Sequence, residues 1–239
     1  MFEELRKRIA RSIIIDRATG TDGSLIDRIA RARSEENYRF AAQFVAGKAV
    51  LDIGGGTGIG HDFLLEKKPN RILSLDKKIT PGQNAKCQNP PVEYRRGDFF
   101  EVDLPDESFD VVICLGTLFY LGDHDAALAK MRRLLRPGGM LIINCINQEL
   151  IGGYFGMRLQ DIDAKFSAAY DAAEFRVLLT RHFGAEPALY VQQPVRFSNS
   201  VFGSLRLWLT AVLWLVFRQP VVPRPSGTAG MYNYAVITA

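Results

Sequence analysis

Cysteine is scarce in this 239-residue chain: Cys87, Cys114 and Cys145 are the only three. An odd number without metal-ligand spacing argues against a zinc site, and two of the three sit in apolar runs of strand character, which argues against a disulfide framework. A reducing, cytoplasmic setting is expected. Excess charge is also small. Thirty basic against 26 acidic residues leave a scattered +4, without the basic stripe or known module of a nucleic-acid binder. No internal repeat or low-complexity tract occurs. The amino terminus, MFEELRKRIARSIIID, mixes both charge signs around an apolar run of three isoleucines, too short for a secretory signal. The one long apolar run is 201–217, which holds a single charge, Arg206, and both tryptophans.

What is present is ordinary globular composition, with 47% hydrophobic and 23% charged residues, in a length that suits one α/β domain with insertions. Residues 1–47 read as a helical cap, broken by the turn signal Thr19-Gly20-Thr21-Asp22-Gly23. From residue 48 short apolar runs of β type (49–53, 71–75, 92–96, 111–115 and 140–145) alternate with helical stretches, the pattern of a parallel sheet with crossover helices. The clearest helix, 125–136, gathers Ala127, Leu128, Met131, Leu134 and Leu135 on one face; Asp123 is its expected cap and Pro137-Gly138-Gly139 its end. A second helix, 172–182, runs up to Gly184, and 188–192 and 232–238 read as two final strands. The expected organisation is therefore a cofactor-binding core over 48–146, a lid and acceptor region over 147–170, and a carboxy-terminal part over 171–239 with an apolar insertion near 195–228.

The sequence Val50-Leu51-Asp52-Ile53-Gly54-Gly55-Gly56-Thr57-Gly58-Ile59-Gly60 takes a buried strand into a glycine-rich turn and then a helix. Glycines allow a tight turn and let a ligand approach the main chain. The Gly-x-Gly-x-x-Gly dinucleotide register is missing, because from Gly54, Gly56 or Gly58 its last position falls on Ile59, His61 or Phe63. What stands instead is Asp52-x-Gly54-x-Gly56-x-Gly58, with a carboxylate that would repel a pyrophosphate but could hold a cationic amine, directly or through water. Eighteen residues beyond Gly58, Asp76 ends the second strand, where a carboxylate accepts from two ribose hydroxyls. Asp98 follows the third strand and can accept from an exocyclic amine. Three carboxylates at strand ends, with no Gly-Lys-Ser/Thr lysine, describe a pocket for a cationic, phosphate-free nucleoside, and S-adenosylmethionine is such a molecule.

LDIGGGTG (51–58), Asp76, GDFFEVDLPDESFDVVICLGTLFYL (97–121) and MRRLLRPGGMLII (131–143) together resemble the class I S-adenosylmethionine-dependent methyltransferases. The resemblance covers roughly residues 36–193. It implies a Rossmann-like sheet of seven strands, mostly parallel, with an antiparallel last strand inserted beside the sixth. It also implies roles for the cofactor set, in which Lys77 is included: Asp52, Gly54, Gly56 and Gly58 at the methionine end, Asp76 at the ribose, Asp98 and Phe99 at the adenine, and Leu115-Gly116 on the sulfonium side. Many relatives carry a His after the fourth strand, where this chain has Tyr120. Tyr120, as an orienting or stacking group, and His124 are the catalytic candidates. The structural alternatives are that Tyr120 packs at the mouth of the sheet, that His124 opens a helix, that His61 packs near the cofactor, and that Asp103, Asp106 and Asp110 are solvated turn residues.

Residues 35–42 and 170–175 resemble, more loosely, methyltransferases that modify cell-surface sugars and lipid-linked intermediates, which suggests a small-molecule, glycan or lipid acceptor. If 232–238 and 188–192 share one sheet, the run 201–217 cannot cross a bilayer completely between them. It can be a buried helix, a homodimer contact, or a helix in the membrane interface. The rival class is a non-catalytic module that keeps the cofactor and serves as a partner or membrane adaptor.

Overall fold

Every residue of β1 (Ala49–Ile53) is buried, as expected of a strand covered on both faces. The computed structural model describes residues 25–78, 92–152, 158–192, 220–224 and 232–239. Successive side chains of a strand point to opposite faces, and this parity sorts the core into two layers. Val50, Ile72 of β2 (Arg71–Asp76), Val111 and Ile113 of β4 (Phe109–Cys114) and Ile142 of β5 (Leu135–Ile146) pack with Tyr38 and Phe40 of α1 (Leu25–Ala41) and Leu64 of α2 (His61–Leu65). Leu51, Ile53, Leu73, Leu75, Val112, Cys114, Leu141 and Ile143 face the opposite layer, built on α3 (His124–Leu134) and α6 (Ala172–Phe183).

Both long helices of that layer start where the sequence supplies a cap. Asp123 Oδ1 accepts the Ala126 N–H at 2.9 Å, and Asp171 and Glu174 form a reciprocal capping box at the start of α6. The expected α3 face, Ala127, Leu128, Met131 and Leu134, is fully shielded from solvent, and each such leucine contributes about 1.5–3 kcal/mol of burial.

The strand order is β3-β2-β1-β4-β5-β8-β6-β7, with β3 at Val92–Arg96, β6 at Ala188–Gln192, β7 at Val221–Pro223 and β8 at Tyr232–Thr238. Strands β1 to β5 run parallel, and β8 lies antiparallel between β5 and β6. The sheet thus has eight strands among the described residues, not the seven expected. The addition is β7, which pairs antiparallel with Tyr190, Val191 and Gln192 at the edge. Three residues ending in proline carry no readable periodicity, and proline is tolerated on an edge strand.

A second difference concerns the end of α3. The helix stops at Leu134 and β5 begins at once, five residues before the expected Met140. Tertiary pairing decides this: Leu135 is in register with Phe109 across an irregularity in the ladder, and Gly138 and Gly139 bond to the backbone of Ala239. Asp110 also departs from its reading as a solvated turn residue. It lies within β4, accepts the Ala49 N–H at 2.7 Å through Oδ2, and pairs with Arg136 at 2.8 Å through Oδ1.

Strands β6 and β8 do share the sheet, paired from Ala188 with Val236 to Val191 with Asn233. The run 201–217, Cys87 and residues 1–24 of the expected cap lie outside the described residues. Among the described residues no helix is long and apolar enough to cross a membrane.

Candidate functional site

In a parallel sheet the strand order reverses direction at one point, here between β1 and β4, and the loops that leave the two strands on opposite sides open a crevice there. Ile53, Gly54 and Gly56 after β1, and Gly116 and Thr117 after β4, line a cavity of about 570 Å³ at this point. Leu75, Asp76, Lys77 and Lys78 at the end of β2 and Gly97 and Phe99 after β3 form one side, and Tyr120, Leu121, Asp163 and Lys165 form the other. The cavity therefore joins Gly54, Gly56, Asp76, Lys77, Phe99, Gly116 and Tyr120 of the sequence candidates.

Asp76 is held from both sides. Its Oδ2 accepts the Gly56 N–H at 2.9 Å and its Oδ1 the Lys78 N–H at 2.7 Å. A carboxylate has about four acceptor sites, so this fixes its orientation and leaves acceptor capacity on each oxygen. Gly54 packs against the loop after β4. Its φ is +76°, and an added Cβ would stand 2.1 Å from Thr117 Oγ1, so only glycine fits both the backbone and the space. Gly116 is anchored from beneath by Asn144 Oδ1, which accepts its N–H at 2.7 Å.

Asp52, Gly58, Asp98, Leu115 and His124 do not line the cavity. For Asp52 the reason is strand parity: it shares the face of Val50 and points into the α1 and α2 layer. There its Oδ2 accepts the Tyr38 hydroxyl at 2.8 Å and lies 2.7 Å from His61 Nε2, while Oδ1 is buried without a hydrogen-bond partner. His61 Nδ1 is in turn 2.6 Å from the Tyr94 hydroxyl. The tautomer with hydrogen on Nε2, accepting from Tyr94 at Nδ1, satisfies both contacts. His61 thus belongs to a buried hydrogen-bonded chain, more than packing alone. Gly58 makes room for it, since an added Cβ would approach Tyr94 Oη to 2.6 Å and His61 Nδ1 to 3.1 Å.

Asp98 is taken up by Lys77, whose Nζ lies 2.7 Å from its Oδ2, while Oδ1 accepts the Phe100 N–H. The Lys77 hydrogen bond, chiefly, holds the Asp98 carboxyl below the usual carboxylate range. His124 sits at the start of α3, off the cavity lining, with Nδ1 2.6 Å from the Tyr170 hydroxyl and Nε2 2.6 Å from Ser167 Oγ. Ser167 Oγ bonds the Phe119 carbonyl at 3.1 Å and Ser167 N the same oxygen at 2.8 Å. Burial holds the His124 imidazole below the ordinary histidine value. Tyr120 is 45% exposed; its ring packs against Phe119 and, edge-on at 5.3 Å, against Phe166.

Sequence reasoning missed Thr117, Lys78, Asp163 and Lys165 of the lining, and the pairing of His61 with Asp52. Thr117 directly follows the quoted Leu115-Gly116, and Asp163 and Lys165 lie inside the expected acceptor region, so proximity was the available signal. Residues 153–157 of the expected lid and acceptor region lie outside the described residues.

The arrangement has clear counterparts. The family model described as methyltransferase domain matches residues 51–143. A probable S-adenosylmethionine-dependent methyltransferase of Mycolicibacterium smegmatis is 33% identical over 116 residues, covering 48% of this chain and 45% of that protein. A ubiquinone/menaquinone biosynthesis C-methyltransferase of Hahella chejuensis is 36% identical over 111 residues, covering 41% and 43%. The aligned part of the chain thus spans less than half the length of these relatives. A Burkholderia thailandensis 1,6-didemethyltoxoflavin-N1-methyltransferase, solved with 1,6-didemethyltoxoflavin and S-adenosylhomocysteine, superposes with a TM-score of 0.60 at 18% identity, over 97% of this chain and 87% of that one. A putative methyltransferase of Haloferax volcanii, solved with the Trm112 methyltransferase activator, gives 0.63 at 17% identity, over 94% and 97%. Residues 51–143 thus match the methyltransferase-domain family, on a fold shared with these solved methyltransferases.

Proposed function

We propose that the chain transfers a methyl group from S-adenosylmethionine to a small-molecule acceptor. The observation that carries this reading is the continuity of one cavity from the glycine loop and Asp76 to Tyr120 and Lys165, so that a nucleoside cofactor and an acceptor can share it. The lining fits the cofactor: glycine backbone allows close approach, the oriented Asp76 carboxylate suits a ribose diol, and Leu75 and Phe99 supply apolar walls for a base. When bound there, held by the glycine loop, Asp76 and Phe99, S-adenosylmethionine would supply an electrophilic methyl carbon on a sulfonium leaving group.

The protein's part is to hold the acceptor in line and to exclude water, which can provide much of the acceleration. Tyr120 is suited to orient the acceptor. His124 has a bracing role, because both ring nitrogens already engage Ser167 and Tyr170. A relative named for ubiquinone/menaquinone biosynthesis favours a planar acceptor, and it comes second to the cavity itself. Calorimetric titration with S-adenosylhomocysteine tests the cofactor reading, with micromolar binding expected and none to the millimolar range overturning it. A labelled-methyl assay on fractionated cell extract tests turnover. Binding with no labelled product in any fraction would favour the non-catalytic adaptor.

A further inference from the structure

The acceptor end of the cavity has a chemical character of its own. Two segments build it: the 3₁₀ turn Leu118–Tyr120 after β4, and the stretch 163–167 after α5 (Leu159–Ile162). They are tied together by the Ser167 N–H on the Phe119 carbonyl and by Phe166, whose ring meets those of Phe119 and Tyr120 edge-on, both at 5.3 Å. Lys165, next to Phe166, is therefore carried by the same packed unit that presents Tyr120.

Among the described residues, five charged side chains line the cavity: Asp76, Lys77, Lys78, Asp163 and Lys165. Asp76 and Lys78 stand at the ribose end, and the Lys77 ammonium is met by Asp98. Asp163 is engaged locally, its Oδ1 accepting the Lys165 N–H at 3.0 Å. Among the described residues no carboxylate lies within ion-pair distance of the Lys165 ammonium, so the acceptor end presents an exposed aromatic ring and, in the same lining, an ammonium outside any ion pair.

We infer that the acceptor is a planar, anionic small molecule whose ring lies against Tyr120 and whose acidic group meets the Lys165 ammonium. The inference rests on the methyl-transfer reading and narrows it. An anion also suits the reaction, since it can attract the cationic methyl donor into the same cavity.

The test uses the full chain saturated with S-adenosylhomocysteine and three probes of one shape: naphthoate, neutral naphthol and cationic naphthylmethylamine, titrated by ligand-detected NMR. Naphthoate is expected to bind about tenfold tighter than the amine, and Lys165→Glu to reverse that order while Lys165→Arg preserves it. Tyr120→Ala should weaken all three probes alike, and Tyr120→Phe should leave them unchanged. Affinity for S-adenosylhomocysteine should stay the same in both Lys165 variants, which also reports that they are folded.

Equal binding of the three probes, no binding by any of them, or an order that Lys165→Glu does not move overturns the inference while leaving the methyl-transfer reading intact. Failure of the wild-type protein to bind S-adenosylhomocysteine overturns both.

Discussion

His61 Nε2 lies 2.7 Å from Asp52 Oδ2 in the protein interior, with both side chains almost wholly shielded from water. The carboxylate that opens the glycine motif is thereby committed to the protein's own frame. Tyr38 of α1 and Tyr94 of β3 close the same network, so it joins the amino-terminal helix, the helix after the glycine loop and two strands. Removing His61 leaves a buried carboxylate short of a donor. His61→Leu should cost about 3 kcal/mol of stability, read as a lowered urea midpoint at unchanged slope. A loss under about 0.5 kcal/mol would show that the network is replaceable by water or side-chain movement.

Asp76 is the cavity's one carboxylate bound to the glycine loop. Asp76→Ala removes acceptors from the Gly56 and Lys78 N–H groups as well as from a bound diol, and should weaken S-adenosylhomocysteine by about tenfold to a hundredfold. Wild-type affinity in calorimetry would remove Asp76 from the binding site.

Gly54 and Thr117 cannot both keep their places if a methyl group is added between them. Gly54→Ala should lower cofactor affinity by about tenfold or more through the displaced loop. Thr117→Gly in the same chain should restore part of it, because the atoms 2.1, 2.6 and 2.9 Å from the added Cβ all belong to Thr117. No coupling between the two substitutions in a double-mutant cycle would contradict the packing argument.

His124 supplies a pH dependence whose sign follows from its burial. Because its folded pKa lies below the ordinary value, the unfolded state takes up a proton first as pH falls. The stability contributed by the neutral ring is present above the unfolded value of about 6.5 and is lost as pH drops from there through the folded value. Thermal melts between pH 7.5 and 5 should therefore fall more steeply for the native chain than for His124→Asn. The variant itself should cost about 1–3 kcal/mol at neutral pH, since Ser167 and Tyr170 each lose a partner. Parallel pH slopes would assign the acid sensitivity to other groups.

Strand positions were legible in the sequence wherever apolar runs were short and bounded by turns, and the cap Asp123 could be read because its function is local. The glycine loop and Asp76 were equally legible, since spacing along one strand and turn determines where they emerge. The sequence alone thus determined the α/β alternation, the glycine-loop and Asp76 side of the cavity and the failure of the dinucleotide register. Tertiary structure decided what depends on partners distant in the chain. It turned Asp52 toward His61 and Tyr38, gave Asp98 to Lys77, placed His124 off the cavity lining as a brace, and added β7 to the sheet edge. It also brought Lys165 and Tyr120, 45 positions apart, into the lining of one cavity. Local propensity and spacing operate over a few residues, whereas side-chain burial and hydrogen-bond partnership are set by which segments the sheet brings together.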